Sequence, residues 1–149
     1  MHAKAITPIL NVSDIAQSFA WFQKLGWGRC WGWKPNATGP ETFGAVGSGE
    51  CEIFMCLNGQ GGRGRSTLKS TSGPEGSDDQ EKGVWMSIWV DDVDAAHKRC
   101  VTEGLDVTHP PTDEPWGVRE MHVRHPDGHV FRVSCAIQRA HPPLPMNFT

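Results

Sequence analysis

The sequence predicts an α+β fold in which two βαβββ modules form a curved mixed sheet around a concave cavity, with the helices on the outer face. Three observations lead there: an internal repeat, a Gly/Ser-rich stretch that divides it, and the parity of apolar residues in the strand-like runs. The repeat is visible in "ITPILNVSD" (6–14) and "VWMSIWVDD" (84–92), offset by 78 residues. Each is a strand-like run that ends in an acid able to cap a helix. The dividing stretch, "NGQGGRGRSTLKSTSGPEGSDDQEKG" (58–83), has almost no large apolar residues and reads as a long flexible connection or a lid. The expected organisation is a first module over 1–57, this connection over 58–83, a second module over 84–136 and a tail over 137–149, all in one structural domain.

A helix is expected after each acid. "IAQSFAWFQKLG" follows Asp14 and "VDAAHKRCVTEG" follows Asp92, with 12 residues from Asp to Gly in both. Asp14 with Gln17 fits a capping box, and Gly26 and Gly104 suit the position just past a helix. Ile15, Phe19, Phe22 and Leu25 make an apolar stripe on the first helix. The second helix is more polar and is expected to be more exposed. Three shorter strands then follow in each half: "WGRCWGWK", "ETFGAVG" and "CEIFMCL" in the first, "LDVTH", "VREMHVRH" and "HVFRVSC" in the second.

Neither module can bury a sheet face alone, so the two should combine. Side chains alternate across a strand. Ile6, Leu10 and Val12 share a face with Pro8; Ile53, Met55 and Leu57, Met86, Ile88 and Val90, and Phe131 and Val133 form matching sets. This apolar face should lie under the helices. The opposite face carries Thr7, Ile9 and Asn11, then Glu52, Phe54 and Cys56, then Trp85, Ser87 and Trp89, then Val130, Arg132 and Ser134. Its mixture of aromatic and polar groups suits a small-molecule pocket; a second core layer or a dimer interface would also use it.

Composition narrows the function classes. Hydrophobic residues make up 38% of the chain, with seven Trp and six Phe, which argues for a folded core. A net charge of −3 and the lack of any Lys/Arg run give no nucleic-acid surface. The start "MHAKAITPIL" has no signal-peptide core, and no apolar run has membrane-spanning length, so a soluble, cytoplasmic protein without membrane contact is expected. Cys30, Cys51, Cys56, Cys100 and Cys135 form no CxxC pair and read as free, mostly buried thiols.

The stretch "PWGVREMHVRHPDGHVFRVS" (115–134) gathers His122, His125 and His129 near Glu120. Three imidazoles would have to converge to hold a metal, whereas His125 and His129 bracket the turn Pro126-Asp127-Gly128. His125 therefore reads as a solvated residue beside a turn, with a His122–His129 pair open.

In order and spacing, the "NVSD"-helix-"LG" start and the "HPDGHVFRV" end of paired βαβββ modules resemble the vicinal oxygen chelate superfamily. That superfamily includes glyoxalase I, extradiol dioxygenases, and fosfomycin- and bleomycin-resistance proteins, and the resemblance covers about residues 5–135. It implies metal ligands on the first and last strand of each module. Here the matching positions are Thr7, Phe54, Trp85 and Arg132. Phe and Trp offer no donor, Thr is a poor lone ligand, and Arg repels a cation. The resemblance therefore implies neither a metal nor any other cofactor.

"PWGVRE" and "VWMSIWVDDVDAA" resemble the bleomycin-resistance branch in particular. That likeness implies a metal-free homodimer, with an antibiotic-resistance role, that sequesters a flat aromatic or partly cationic ligand in a Trp-lined concave pocket. The residues expected to bind are Trp33, Glu52, Phe54, Trp85, Ser87, Trp89, Trp116, Glu120, His122 and Arg132, with no catalytic residue. Glu41 and Glu114 could add negative charge, while Arg132 brings a positive one. Two alternatives stand beside this reading. One is a glyoxalase-like lyase or isomerase that acts on a small oxygenated metabolite with His122, Glu120 or Glu52 as base. The other is a structural or regulatory dimer with no ligand.

Overall fold

The structure is a computed structural model that describes residues 1–59 and 83–137. The expected connection over 58–83 lies outside the described residues except for Asn58, Gly59 and Gly83. The expected tail over 137–149 lies outside them except for Ile137. The elements run β1 (Ile9–Asn11), α1 (Ile15–Leu25), β2 (Gly28–Trp33), β3 (Phe43–Ser48) and β4 (Cys51–Cys56) in the first half. The second half has β5 (Trp85–Trp89), α2 (Val93–Thr102), β6 (Asp106–Asp113), β7 (Val118–Arg124) and β8 (Val130–Ala136). Each half is therefore β-α-β-β-β. They form two four-stranded mixed sheets, ordered β1-β4-β3-β2 and β5-β8-β7-β6. In each sheet the first and last strands of the module pair in parallel, and the remaining pairs are antiparallel.

Local chemistry sets the helix ends. The Asp14 side chain accepts the Gln17 N–H at 2.9 Å, and the Asp92 side chain accepts that of Ala95 at 3.0 Å, so each acid satisfies a backbone donor left over by the first turn. Gly26 ends α1 at φ 102°, a left-handed conformation that suits glycine. At the same end, Arg99 of α2 donates to the carbonyls of Lys24 and Gln23 at 2.9 and 3.0 Å. A cation there complements the helix dipole and ties the two modules together.

One core joins the halves. Leu10, Val12, Ile53 and Met55 of the first sheet and Met121, Val123, Phe131 and Val133 of the second lie in a single cluster with Ile15, Trp21, Phe22, Val93 and Cys100 of the helices. Trp21 of α1 stacks on Phe131 of β8 at 5.6 Å, and Phe22 meets the same ring edge-on. Full burial of a side chain the size of Phe22 or Phe131 is worth about 1.5–3 kcal/mol. As expected, α2 is the more exposed helix and buries only Val93 and Cys100.

Three local expectations are corrected. The first strand starts at Ile9, so Thr7 lies before it, and Ile6 is exposed rather than under a helix. Trp21, which falls outside the expected stripe, is buried, while Phe19 and Leu25 only flank the core. Among the thiols, Cys30 and Cys51 are exposed and Cys100 alone is fully buried. A bulge in β2 between Arg29 and Trp31 takes Cys30 out of the ladder. No helix among the described residues is long and apolar enough to cross a membrane.

Candidate functional site

Strand alternation leaves each sheet with one face away from the core, and the two open faces differ in chemistry. On the first sheet the face is aromatic. Register aligns Trp33 with Phe43 and Cys56, and Trp31 with Ala45 and Phe54. Trp31 stacks on Phe43 with centroids 5.5 Å apart and rings 16° from parallel, and Phe54 stands edge-on to both. Beside them a groove of about 490 Å³ is lined by Trp31, Trp33, Thr42, Phe43, Cys56 and Leu57.

On the second sheet the corresponding face is charged. One row across the strands runs Ser87–Arg132–His122–His109, and the next runs Trp89–Ser134–Glu120–Thr112. Arg132 Nε donates a short hydrogen bond to Glu120 Oε2, and its Nη2 reaches Oε1 at 3.4 Å. His122 Nε2 donates to Glu120 Oε2 at 3.3 Å. His109, its ring 4.8 Å from that of His122, is bonded through Nε2 to Glu114 Oε1 at 3.0 Å. The Glu120 side chain is almost wholly buried. Burial alone would raise its carboxyl, but the hydrogen bonds from Arg132 and His122 outweigh that and hold it below the usual carboxylate range.

This arrangement changes the charge of the face. Arg132 is neutralised by Glu120 rather than presenting a free positive charge. Glu114 adds a second carboxylate to the face, beside His109. Trp85, Trp89 and Trp116 border the cluster at 67%, 63% and 58% exposure. Trp85 is edge-on to His122 at 6.0 Å, and the Arg132 guanidinium lies 5.9 Å from the Trp116 ring centroid. The Ser134 hydroxyl, buried beside Glu120 in register, has no hydrogen-bond partner among the described residues.

The structure thus brings Trp85, Ser87, Trp89, Trp116, Glu120, His122 and Arg132 onto one face, with Trp33 and Phe54 on the other. Glu52 sits opposite Gly47 at the far end of β4, is exposed, and joins neither cluster. Glu41 is taken up by a bidentate pair with Arg29. The sequence reading leaves out Trp31, Phe43 and His109, and it places Ser134 on the second open face by parity without naming it as a binding residue. Parity could have found Phe43. His109 needed the irregular register of β6, where two shifts break the alternation. Gly117 has φ 88° in the turn in which its N–H bonds to Glu114 O at 3.1 Å. The turn requires a glycine there, rather than the approach of a ligand.

His125 corrects the sequence reading outright. It is 1% exposed, not solvated, and so is Asp127, while His129 is fully buried. His129, just before β8, spends its two ring nitrogens on the Val84 N–H and the Asn11 carbonyl, so it forms no pair with His122. No three His, Cys, Asp or Glu side chains converge as a metal-holding set among the described residues. Nor do the positions where the superfamily holds its metal fit one. Thr7 is outside the strand, Phe54 and Trp85 offer no donor, and Arg132 is committed to Glu120.

Residues 5–133 match the profile of the Glyoxalase/Bleomycin resistance protein/Dioxygenase superfamily. No curated protein matches the sequence. Among solved structures, the chain is similar to TioX from Micromonospora sp. ML1 at 20% identity and TM-score 0.67, with 91% of this chain and 100% of that one covered. It is similar to a bleomycin-binding protein complexed with bleomycin at 17% identity and TM-score 0.62, with the same coverage. A bleomycin resistance determinant encoded on the transposon Tn5 aligns at 18% identity and TM-score 0.63, again over 91% and 100% of the two chains.

Proposed function

The chain belongs to the Glyoxalase/Bleomycin resistance protein/Dioxygenase superfamily, and on that premise we propose that it is a metal-free small-molecule binding protein that sequesters a flat aromatic, partly cationic ligand. The observation that carries the reading is the second open face, where Trp85, Trp89 and Trp116 border a buried carboxylate paired with Arg132, and a further carboxylate, Glu114, lies beside His109. A planar ring on an exposed Trp gains burial plus oriented π contact, about 0.5–1.5 kcal/mol beyond its area. A cation beside Glu114 and the Trp faces adds about 0.5–2 kcal/mol more. Two similar structures, a bleomycin-binding protein holding bleomycin and a bleomycin resistance determinant, support a ligand of this kind and a role in antibiotic resistance.

The binding unit is a cytoplasmic homodimer. Ile9 and Trp33 on the first open face and Trp85, Trp89 and Trp116 by the second are all more than half exposed, and large exposed apolar surface supports an interaction site. A second copy that lays the aromatic first-sheet face over the charged second-sheet face would enclose a ligand between them. Light scattering at high micromolar concentration should give a mass near twice 16.4 kDa; a monomer there would refute the dimer.

Tryptophan quenching by a flat aromatic cation, run beside its uncharged isostere, tests the binding. The cation should saturate the signal more tightly, and Trp116→Ala should weaken it by about 1–3 kcal/mol. If neither probe binds saturably, the sequestering reading fails. A second reading draws on the facing imidazoles. His109 with Glu114 and His122 with Glu120 give two carboxylate-held bases on an open face, the apparatus of a metal-independent lyase or isomerase.

A further inference from the structure

Where the two modules meet, a groove of about 340 Å³ shares no lining residue with the aromatic groove of the first sheet. Three segments wall it: Trp21 and Lys24 from the C-terminal half of α1, Leu105 and Asp106 at the start of β6, and Arg124 and Pro126 at the β7–β8 turn. Bonds between distant parts of the chain hold these walls together. His125 accepts the Asp127 N–H on Nδ1 at 3.0 Å, so its Nε2–H donates to Ser18 Oγ of α1 at 3.0 Å. Asp127 accepts the Ser13 N–H at 2.8 Å and the Ser13 hydroxyl at 2.7 Å. Trp21 stands edge-on to the His125 ring at 5.0 Å. The turn and α1 thus brace each other, and the groove between them is preformed. Gly104 leaves part of its wall without a side chain, since nothing lies within 4 Å of the place a Cβ would take.

The charges around the groove are unevenly spent. Asp106 is the one acid among the lining residues. It is taken by Arg124, whose Nε and Nη2 both lie 2.8 Å from Oδ2, which leaves Arg124 Nη1 over. Lys24 forms no ion pair among the described residues. The carbonyls at the end of α1 do not answer its charge either, because Arg99 already donates to those of Gln23 and Lys24 at 3.0 and 2.9 Å. The buried Asp127 is spent on Ser13. An ammonium and a guanidinium N–H therefore stand without an acid in a groove whose other surfaces, Trp21, Leu105 and Pro126, are apolar.

We propose that this groove is a second binding site, for a small organic anion: a carboxylate held by the Lys24 ammonium and Arg124 Nη1, with an apolar body against Trp21, Leu105 and Pro126. A carboxylate accepts charge-assisted hydrogen bonds from both cations. The groove lies within the size range of small-molecule sites, about 300–1,000 Å³, and an interface between two modules is a common place for one. The site is independent of the open faces, because the charge it selects is opposite to that of the flat cation proposed there.

The test is an amide NMR titration of the full chain at neutral pH with three probes: benzoate, benzamide and inorganic phosphate. Benzoate should shift the amides of Lys24, Leu105 and Gly128 saturably, at a Kd of roughly 1 mM, while those of Trp31 and Glu120 on the open faces stay in place. Benzamide keeps the ring without the charge, and phosphate keeps a charge without the ring; each should bind about tenfold more weakly or less. Lys24→Met keeps the stem and removes the ammonium. Lys24 is exposed, so the variant should fold with an unchanged urea midpoint, weaken benzoate about tenfold and leave benzamide as it was. Added salt should weaken benzoate alone. An equal response to benzamide, or benzoate binding untouched by Lys24→Met, would overturn the site. Phosphate as tight as benzoate would show an adventitious ion only, and no saturable shift at the groove would remove the site altogether.

Discussion

Two pairs of imidazoles flank the same strand, and they do opposite work. His109 of β6 and His122 of β7 stand 4.8 Å apart on the open face, each held by a carboxylate and each partly exposed. His125 and His129 stand 5.5 Å apart at the end of that strand, buried in the joint between modules and bonded mainly to backbone and hydroxyl groups. In the chain, His122, His125 and His129 look like one cluster. In the fold, strand parity sends His122 to the open face, while His129, just before β8, is buried against Asn11 and Val84. The lesson is that partner type, rather than proximity in sequence, separates a histidine on an open face from one that holds the fold. A carboxylate-held imidazole can gain or lose a proton in place. An imidazole with both nitrogens spent on the protein cannot do so without breaking something.

The sharpest way to break this contrast is to remove the anchor of the inner pair. Asp127→Ala deletes two bonds to Ser13, one to its backbone N–H and one to its hydroxyl, from a carboxylate that is itself buried. It should cost about 3–5 kcal/mol, read from the urea midpoint at constant slope. Acid should act on the same site by a different route. The folded pKa of His125 is depressed to about 4 from 6.5. The unfolded chain therefore binds the extra proton first, and the stability is fully present above pH 6.5. It is lost as pH falls from there towards 4, about 3 kcal/mol from this residue. Urea midpoints taken at half-unit pH steps would show that slope, and a flat profile across the window would remove the distinction between the pairs.

The outer pair should respond more weakly. Arg132→Met leaves the buried Glu120 carboxylate with His122 alone. The expected cost is about 1–3 kcal/mol, below the figure for a fully buried pair because Arg132 itself reaches solvent. The Glu120 carboxyl should then move up from its depressed value, which carbon-detected NMR of its side chain would follow. Smallest of all is the effect of Trp116→Ala on folding. Trp116 is 58% exposed, so the urea midpoint should change by less than about 1 kcal/mol. A loss of about 3–5 kcal/mol, the range for a core aromatic, would place this side chain in the core and weaken the case for the open face as a binding surface.

Much of the architecture could be read from the chain, for identifiable reasons. The 78-residue repeat, the Asp caps and the Gly stops are local signals, and each acts within a few residues of itself. Parity placed Leu10, Ile53, Met55, Phe131 and Val133 in the core because a strand alternates whatever its neighbours do. It also brought Trp85, Ser87, Trp89 and Arg132 to a common face. His109 was missed because β6 is irregular, and alternation cannot be counted through a bulge.

What the sequence by itself determined is the fold, its two halves and the residues available to each sheet face. All of these follow from short-range periodicity and capping chemistry. The tertiary structure alone decided the state of the charges. It paired Arg132 with Glu120, so the positive charge that Arg132 was expected to bring to this face is not presented free. It also carried the β7–β8 turn across to Ser13 and Asn11, more than a hundred residues away, and buried an Asp and two His that polarity alone would leave in water. A polar side chain is buried only where specific partners wait for it, and those partners are set by how the modules pack rather than by anything within reach along the chain.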